Sequence, residues 1–263
     1  MDEWRGKWAL VTGASAGIGA ALAHELAAGG ANLVLSARRR DRLDALAAEL
    51  AGKHGVKAEV CVADLTKPSA PNEIIAFTEM KRIGVDLLVA NAGFGAYGEF
   101  HKIPVARQLE MVQVNISSVI HLTHLYVQPM IVRREGDILI VASTAAFQPV
   151  PYITAYAATK AFDLLFAEGL AEELRPYGIR VCALCPGTTH TEFQHVAGQP
   201  DHAFRLAESA GKVARVGLRA LERGKSYVIS GWRNYLQTHG ERLATRRFVA
   251  RMAARVMAPP KSD

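Results

Sequence analysis

Residues 143–160 read STAAFQPVPYITAYAATK, a serine followed thirteen residues later by a tyrosine and, four residues after that, by a lysine. Four residues is about one helical turn, so Tyr156 and Lys160 share a face if the segment is helical. The surrounding run AYAATKAFDLLFAEGLAEEL, rich in Ala and Leu, predicts that helix. A free tyrosine ionises near pH ~10, and a neighbouring cation favours the phenolate, which turns a phenol into a usable acid or base. A serine hydroxyl such as Ser143 could hold the oxygen that receives the proton. By itself Y-x-x-x-K also describes any amphipathic helix with a surface tyrosine and lysine. Its setting decides.

The elements that must position these residues alternate. KWALVT, residues 7–12, is a short apolar strand, and Thr12-Gly13-Ala14-Ser15-Ala16-Gly17-Ile18-Gly19 leads from it into the helical pattern AALAHELAAGG. A strand, a Gly-rich turn and a helix are what a dinucleotide pyrophosphate needs, because glycines admit close backbone approach and a helix N-terminus favours negative charge. The second strand, ANLVLSARR, ends in Ser36-Ala37-Arg38-Arg39. A ribose-binding carboxylate would fall there in an NAD site. Arginine in its place suits a 2′-phosphate and so NADP(H). Asp41 is expected to cap the next helix.

AEVCVADL then delivers Asp64 and Leu65, a helix covers about 72–83, and VDLLVANAG ends at Asn91-Ala92-Gly93. A helix from about Val105 carries Asn115. DILIVAST delivers Ser143, IRVCALCPG ends at Pro186-Gly187, and SYVISG is a last strand. Apolar strands alternating with helices predict an α/β fold, a doubly wound parallel Rossmann sheet of about seven strands with helices on both faces. Ligands in such sheets bind beyond the carboxyl ends of the strands, where Gly17, Arg38, Asp64, Asn91, Ser143 and Pro186 all fall.

The chain has 263 residues, half of them hydrophobic and 21% charged, which suits one domain with a sizeable core. Its start, MDEWRGKWALVTG, reads as entering a strand without a signal peptide, and three cysteines are too few for a disulfide framework. Both point to the cytoplasm. Cys182 and Cys185 lie three apart on a predicted strand and so face opposite sides, which argues against a shared metal. The formal net charge of +6 is concentrated in Arg38–Arg42 and in Arg242, Arg246, Arg247, Arg251 and Arg255. The latter interleave with Phe248, Met252 and Val256, as in a docked amphipathic helix with a solvated basic face rather than a nucleic-acid or lipid site.

Taken in order, TGASAGIG, Asp64, NAG at 91–93, Asn115, Ser143, YAATK at 156–160 and PG at 186 resemble a short-chain dehydrogenase/reductase of the compact, NADP(H)-preferring type, over at least residues 7–191. The resemblance implies an NADPH-dependent reduction of a ketone or aldehyde, reversible with NADP. Tyr156 would be the proton donor, Ser143 the substrate-positioning hydroxyl, and Lys160 the cation that lowers the tyrosine pKa and binds the nicotinamide ribose. Asn115 would support a proton relay through a backbone kink. Gly13, Ser15, Ala16, Gly17, Ile18 and Gly19 would take the pyrophosphate, and Arg38 and Arg39 the 2′-phosphate. Asp64 and Leu65 would lie near adenine, Asn91, Ala92 and Gly93 beside the adenosine ribose, and Pro186, Gly187, Thr189 and Thr191 around the nicotinamide.

Two positions depart from the family pattern: Ala90, where a second asparagine is common, and Thr188-Thr189-His190, where a proline is common. Phe94, Phe147, Pro149, Tyr152, His190 and Phe193 flank the expected active site and suggest an apolar substrate pocket. Residues about 190–211 would form a lid and about 232–258 an Arg-rich helical extension. A 3-oxoacyl reductase is the alternative within the enzyme class, and a catalytically silent NADPH-binding regulator the alternative outside it. The resemblance also implies a homodimer or homotetramer.

Overall fold

The computed structural model describes residues 2–193, 197–198 and 207–259. Seven strands form one parallel sheet: β1 (Trp8–Thr12), β2 (Asn32–Ala37), β3 (Ala58–Val62), β4 (Val85–Ala90), β5 (Gly136–Val141), β6 (Ile179–Cys185) and β9 (Tyr227–Ile229). Between the last two lie the short strands β7 (Thr189–His190) and β8 (Glu208–Ser209), which pair only with each other. The order across the sheet is β3-β2-β1-β4-β5-β6-β9, every pairing parallel. The order reverses at β1 and β4, and the crevice outside that reversal is where such sheets take ligands.

The strands are buried on both sides, and the two-residue period of the pleat divides their side chains between two cores. Ala9, Val11, Leu139, Val141, Cys182 and Leu184 face one layer, with α1 (Gly17–Ala28), α2 (Arg40–His54) and α7 (Ala210–Glu222). Leu10, Ile138, Ile140, Val181 and Cys185 face the other, with α3 (Ala70–Met80), α5 (Ser118–Arg133) and α6 (Thr154–Leu174). Cys182 and Cys185 therefore do lie on opposite faces.

Two local readings change. Asp41 sits inside the first turn of α2, and the cap position belongs to Arg39, without a side-chain cap bond. The expected helix near 105 is interrupted: α4 (Val105–Val112) passes through a π-turn over Gln113–Ser117 before α5 begins. Of the expected lid, residues 194–196 and 199–206 lie outside the described residues. The Arg-rich extension comprises α8 (Trp232–Gly240) and α9 (Arg246–Met257). No described helix is long and apolar enough to cross a membrane.

The edge opposite the crevice is held by charge. Before β1 the chain makes a short 3-10 turn (Asp2–Trp4) that buries the Trp4 ring, and the indole nitrogen donates to Asp137 Oδ2 at 2.7 Å. Arg180 donates to the same carboxylate from Nε at 2.7 Å and Nη2 at 2.8 Å, a two-pronged bond between adjacent strands. Asp137 is buried, so its removal strands the indole and leaves the guanidinium only Glu3, at 2.6 Å, and the Glu222 carbonyl. Asp137→Ala is expected to cost about 3 kcal/mol, read as a lower urea midpoint at unchanged m-value.

Candidate active site

The glycine-rich turn is built so that backbone can meet a ligand. Gly13 has φ +66°, a region costly for residues with a Cβ. Gly19 packs so closely that a Cβ there would stand 2.4 Å from the Gly13 carbonyl oxygen and 2.5 Å from the Asn91 amide nitrogen. The helix that follows has Ala16 at its cap with no side-chain bond and no acid in its first turn. Its first amides and the positive end of its dipole are therefore available to an anion.

Thr12 and Asn91 fasten this turn to the end of β4. Thr12 Oγ1 donates to Val89 O at 3.2 Å and accepts from the backbone amides of Asn91 at 3.0 Å and Ala92 at 3.1 Å. The Asn91 side chain donates to Thr12 O at 2.8 Å. Asn91 thus braces the crevice rather than lying free beside it, and Ala90, buried next to it, needs no polar partner.

Beyond β5, Ser143 turns into a 3-10 segment (Thr144–Phe147), and its Oγ accepts from the Ala145 amide at 3.1 Å. That bond uses a lone pair and leaves the hydroxyl hydrogen to donate. The Ser143 hydroxyl and the Tyr156 phenol both border the cleft, and the serine favours the ionised phenol. The loop after β6 is tied to the same turn, Thr144 N donating to Pro186 O at 2.9 Å. Tyr156 is 9% exposed and its ring tilts against Phe193 with centroids 5.2 Å apart. Lys160, one turn on, lies 5.9 Å from that ring and donates to Val141 O at 2.7 Å and Asp163 Oδ2 at 2.9 Å.

Asn115 sits in the π-turn, fully buried. Its Oδ1 accepts from Phe94 N at 3.1 Å, and its Nδ2 donates to Phe94 O at 3.0 Å and Thr159 Oγ1 at 3.0 Å. The side chain is wholly used in holding the 93–94 loop against α6. The kink that the resemblance implied at Asn115 takes the form of the π-turn.

The expected depression of the tyrosine pKa is only half present. Burial pushes the phenol up, Lys160 and the Ser143 hydroxyl pull it down, Asp163 pushes it up again, and the net direction is upward. Desolvation outweighs one cation that is itself partly neutralised. Lys160 is held charged by Asp163 against its own burial.

Gly13, Ser15, Ala16, Gly17, Ile18, Arg38, Arg39, Asp64, Leu65, Asn91, Ala92, Gly93, Ser143, Tyr156, Lys160, Pro186, Gly187, Thr189 and Thr191 all border one cleft of about 940 Å³, with Gly19 behind the turn. The aromatic set divides. Phe94 and Phe193 line the cleft, whereas Phe147 packs on Tyr227, Tyr152 on Tyr97, Pro149 stays outside the wall, and His190 faces solvent. In their place the far wall comes from α8 and α9: Asn234, Phe248, Val249, Met252 and Val256. The helix is pinned at its end by Tyr97, whose hydroxyl donates to Met257 O at 2.7 Å. Interleaved arginines hid that role in the sequence.

Glu192 is a second residue that motif reading passed over. It bridges Arg39 Nη1 at 2.8 Å and Arg42, which hold its carboxyl below the usual range, while Arg39 also donates to Ser15 Oγ at 3.0 Å. Arg38 is exposed, whereas Arg39 is half-buried.

Comparison with known proteins is consistent with this geometry. A duck (Anas platyrhynchos) very-long-chain 3-oxoacyl-CoA reductase is 35% identical over 235 residues, 86% of this chain and 74% of that protein. A relative of the same name from Pyrenophora tritici-repentis is 35% identical over 188 residues, and the chain spans only 53% of its length. Among solved structures, a 7beta-hydroxysteroid dehydrogenase superposes with a TM-score of 0.87 at 27% identity, covering 96% of this chain and 98% of that one. A Sphingobium yanoikuyae short-chain dehydrogenase in complex with NADPH gives 0.82 at 31% identity, covering 98% of each. The family described as short chain dehydrogenase matches residues 7–201, and the chain belongs to that family.

Proposed function

We propose that this protein is an NADP(H)-dependent oxidoreductase that reduces a ketone to an alcohol, reversibly, and that a 3-oxoacyl thioester is the substrate class best supported. The observation that carries the reaction is the meeting of Ser143, Tyr156 and Lys160 at the carboxyl edge of the sheet beside an uncapped helix N-terminus. Relatives named very-long-chain 3-oxoacyl-CoA reductases, 34–36% identical, favour the 3-oxoacyl alternative over an unspecified ketone or aldehyde. An apolar wall of Phe94, Phe193, Phe248, Met252 and Val256 suits a long acyl chain. A steroid ketone is the second reading, favoured by the near full-length likeness to the 7beta-hydroxysteroid dehydrogenase.

The residues fit a dinucleotide: the Gly13–Gly19 turn would fill if a side chain were added, and its residues from Gly13 to Ile18 border the cleft. In this reading the turn holds the pyrophosphate, Arg38 and Arg39 the 2′-phosphate, Asp64 and Leu65 the adenine side, and Thr189 and Thr191 the nicotinamide side. NADPH complexes among the relatives support the cofactor. When bound, the nicotinamide supplies the hydride.

The chain's own residues manage the oxygen. Ser143 donates its free hydrogen to the substrate oxygen. Tyr156 hands over its proton as negative charge builds there, and the two donors together contribute a few kcal/mol of stabilisation. Lys160 holds the ribose and steadies the phenolate left behind. The α8–α9 extension would exclude water over this pocket. We further propose a cytoplasmic homodimer or homotetramer formed through α4–α5 and α6, whose exposed Leu109, Ile120 and Leu165 support such a contact.

Tyr156→Phe is expected to cut NADPH oxidation with a 3-oxoacyl thioester by at least about a thousandfold while leaving NADPH binding within about threefold, read by absorbance loss and by fluorescence titration. Retained turnover would overturn the assignment. Tight NADPH binding without turnover on any carbonyl would favour a regulator. Arg38→Asp is expected to lower the NADPH-over-NADH ratio of kcat/KM at least about tenfold, about 1.4 kcal/mol. An unchanged ratio would move the 2′-phosphate to Arg39 and Arg42. Leu165→Glu is expected to lower the sedimentation coefficient toward that of the monomer.

A further inference from the structure

Asp163 continues the face that Tyr156 and Lys160 begin, seven residues after the tyrosine and three after the lysine on α6. It is 1% exposed, as deeply placed as the hydrophobic core. Its Oδ2 takes the Lys160 ammonium at 2.9 Å, but its Oδ1, equally buried, has no hydrogen-bond partner among the described residues. An aspartate serving the core would have both oxygens satisfied, because each buried orphan costs about 1–3 kcal/mol. Here a carboxylate is held at that cost beside the one ammonium of the site.

We propose that Asp163 is a positioning residue that fixes the Lys160 ammonium and, by offsetting its charge, keeps the Tyr156 phenol protonated into the alkaline range. The inference rests on the reading of Tyr156 as the acid. The geometry supplies both halves. Lys160 has three donor hydrogens; Val141 O and Asp163 take two, which leaves one directed toward the cleft, where Gly93 lies close by. Burial does most to keep the phenol neutral, and the Asp163 charge adds to it against the ammonium.

The other groups facing the pair do not compete. Cys185 reaches it from β6, and burial pushes that thiol far up, so it stays neutral. Ser143 approaches from the turn after β5, and Asn115 from the π-turn carries no titratable proton. Glu168, a turn further along α6, acts on Cys185. Burial also pushes the Asp163 carboxyl up, and Lys160 pulls it back. With the Lys160 ammonium kept charged by its cleft-side surroundings, removal of the negative charge favours phenolate, so the tyrosine would ionise at lower pH. The reduction rate would then fall away earlier as pH rises, and the oxidation rate would climb earlier.

The test is the pH dependence of kcat/KM in both directions for the wild type, Asp163→Asn and Asp163→Glu with NADP(H) and a 3-oxoacyl thioester pair. Asp163→Asn is expected to move the alkaline limb of reduction and the acidic limb of oxidation together, downward by about one pH unit, a tenfold change in phenolate fraction. Asp163→Glu, which retains the charge, is expected to restore both limbs. Limbs left in place, as a purely structural residue would leave them, or limbs moved upward, as a lysine that loses its proton along with its partner would move them, overturn the proposal. If Asp163→Asn does not fold, Asp163→Ser, a smaller neutral residue, carries the same expectation. Loss of fold in both neutral variants would assign Asp163 to the core instead. Tyr156→Phe separates the two levels: turnover surviving in it removes the acid itself, whereas a dead Tyr156→Phe with unmoved Asp163→Asn limbs removes only this inference.

Discussion

A buried ammonium is the constraint on which this site turns. Lys160 is 5% exposed, and an unpaired charge at that depth costs several kcal/mol. The helix that carries it, the strand end whose carbonyl accepts from it and the carboxylate three residues on must therefore stay in register together. The Val141 carbonyl is free for this because the sheet ladder ends there. The same strand end delivers Ser143 two residues later, so Ser143 and Lys160 share one anchor.

The desolvation that makes the lysine demanding also governs the tyrosine. In water a neighbouring cation would settle the matter, and a sequence can be read that far. In the folded protein the phenol loses its hydration, the cation is half-answered by a carboxylate, and the balance tips toward the neutral acid. A phenol kept neutral is suited to giving a proton away.

Most of the sheet was legible because its strands are short apolar runs ending in residues with chemical uses, and the two-sided burial left little room for another topology. The glycine turn, Asn115, Ser143, Tyr156 and Lys160 were legible as spaced types. Other features were hidden for physical reasons. Asp163 sat unmarked in a run rich in Ala and Leu, since its burial appears only when α6 is laid on β6. Phe147 and Tyr152 lay near the site in sequence, but local turns carried their rings to Tyr227 and Tyr97. Phe248, Met252 and Val256 looked like one side of a surface helix until the fold returned the end of the chain over the cleft.

That return has a further meaning. Among the described residues α9 has one fully buried side chain, Val249, and its end is held by a backbone carbonyl that any residue at 257 would provide. The wall that borders the cleft is thus lightly packed, while Tyr156, Lys160 and Gly19 are buried. Descent with modification can rewrite the wall one side chain at a time without disturbing the reaction. A single chemical engine with a replaceable face is the form in which one fold spreads across many substrates.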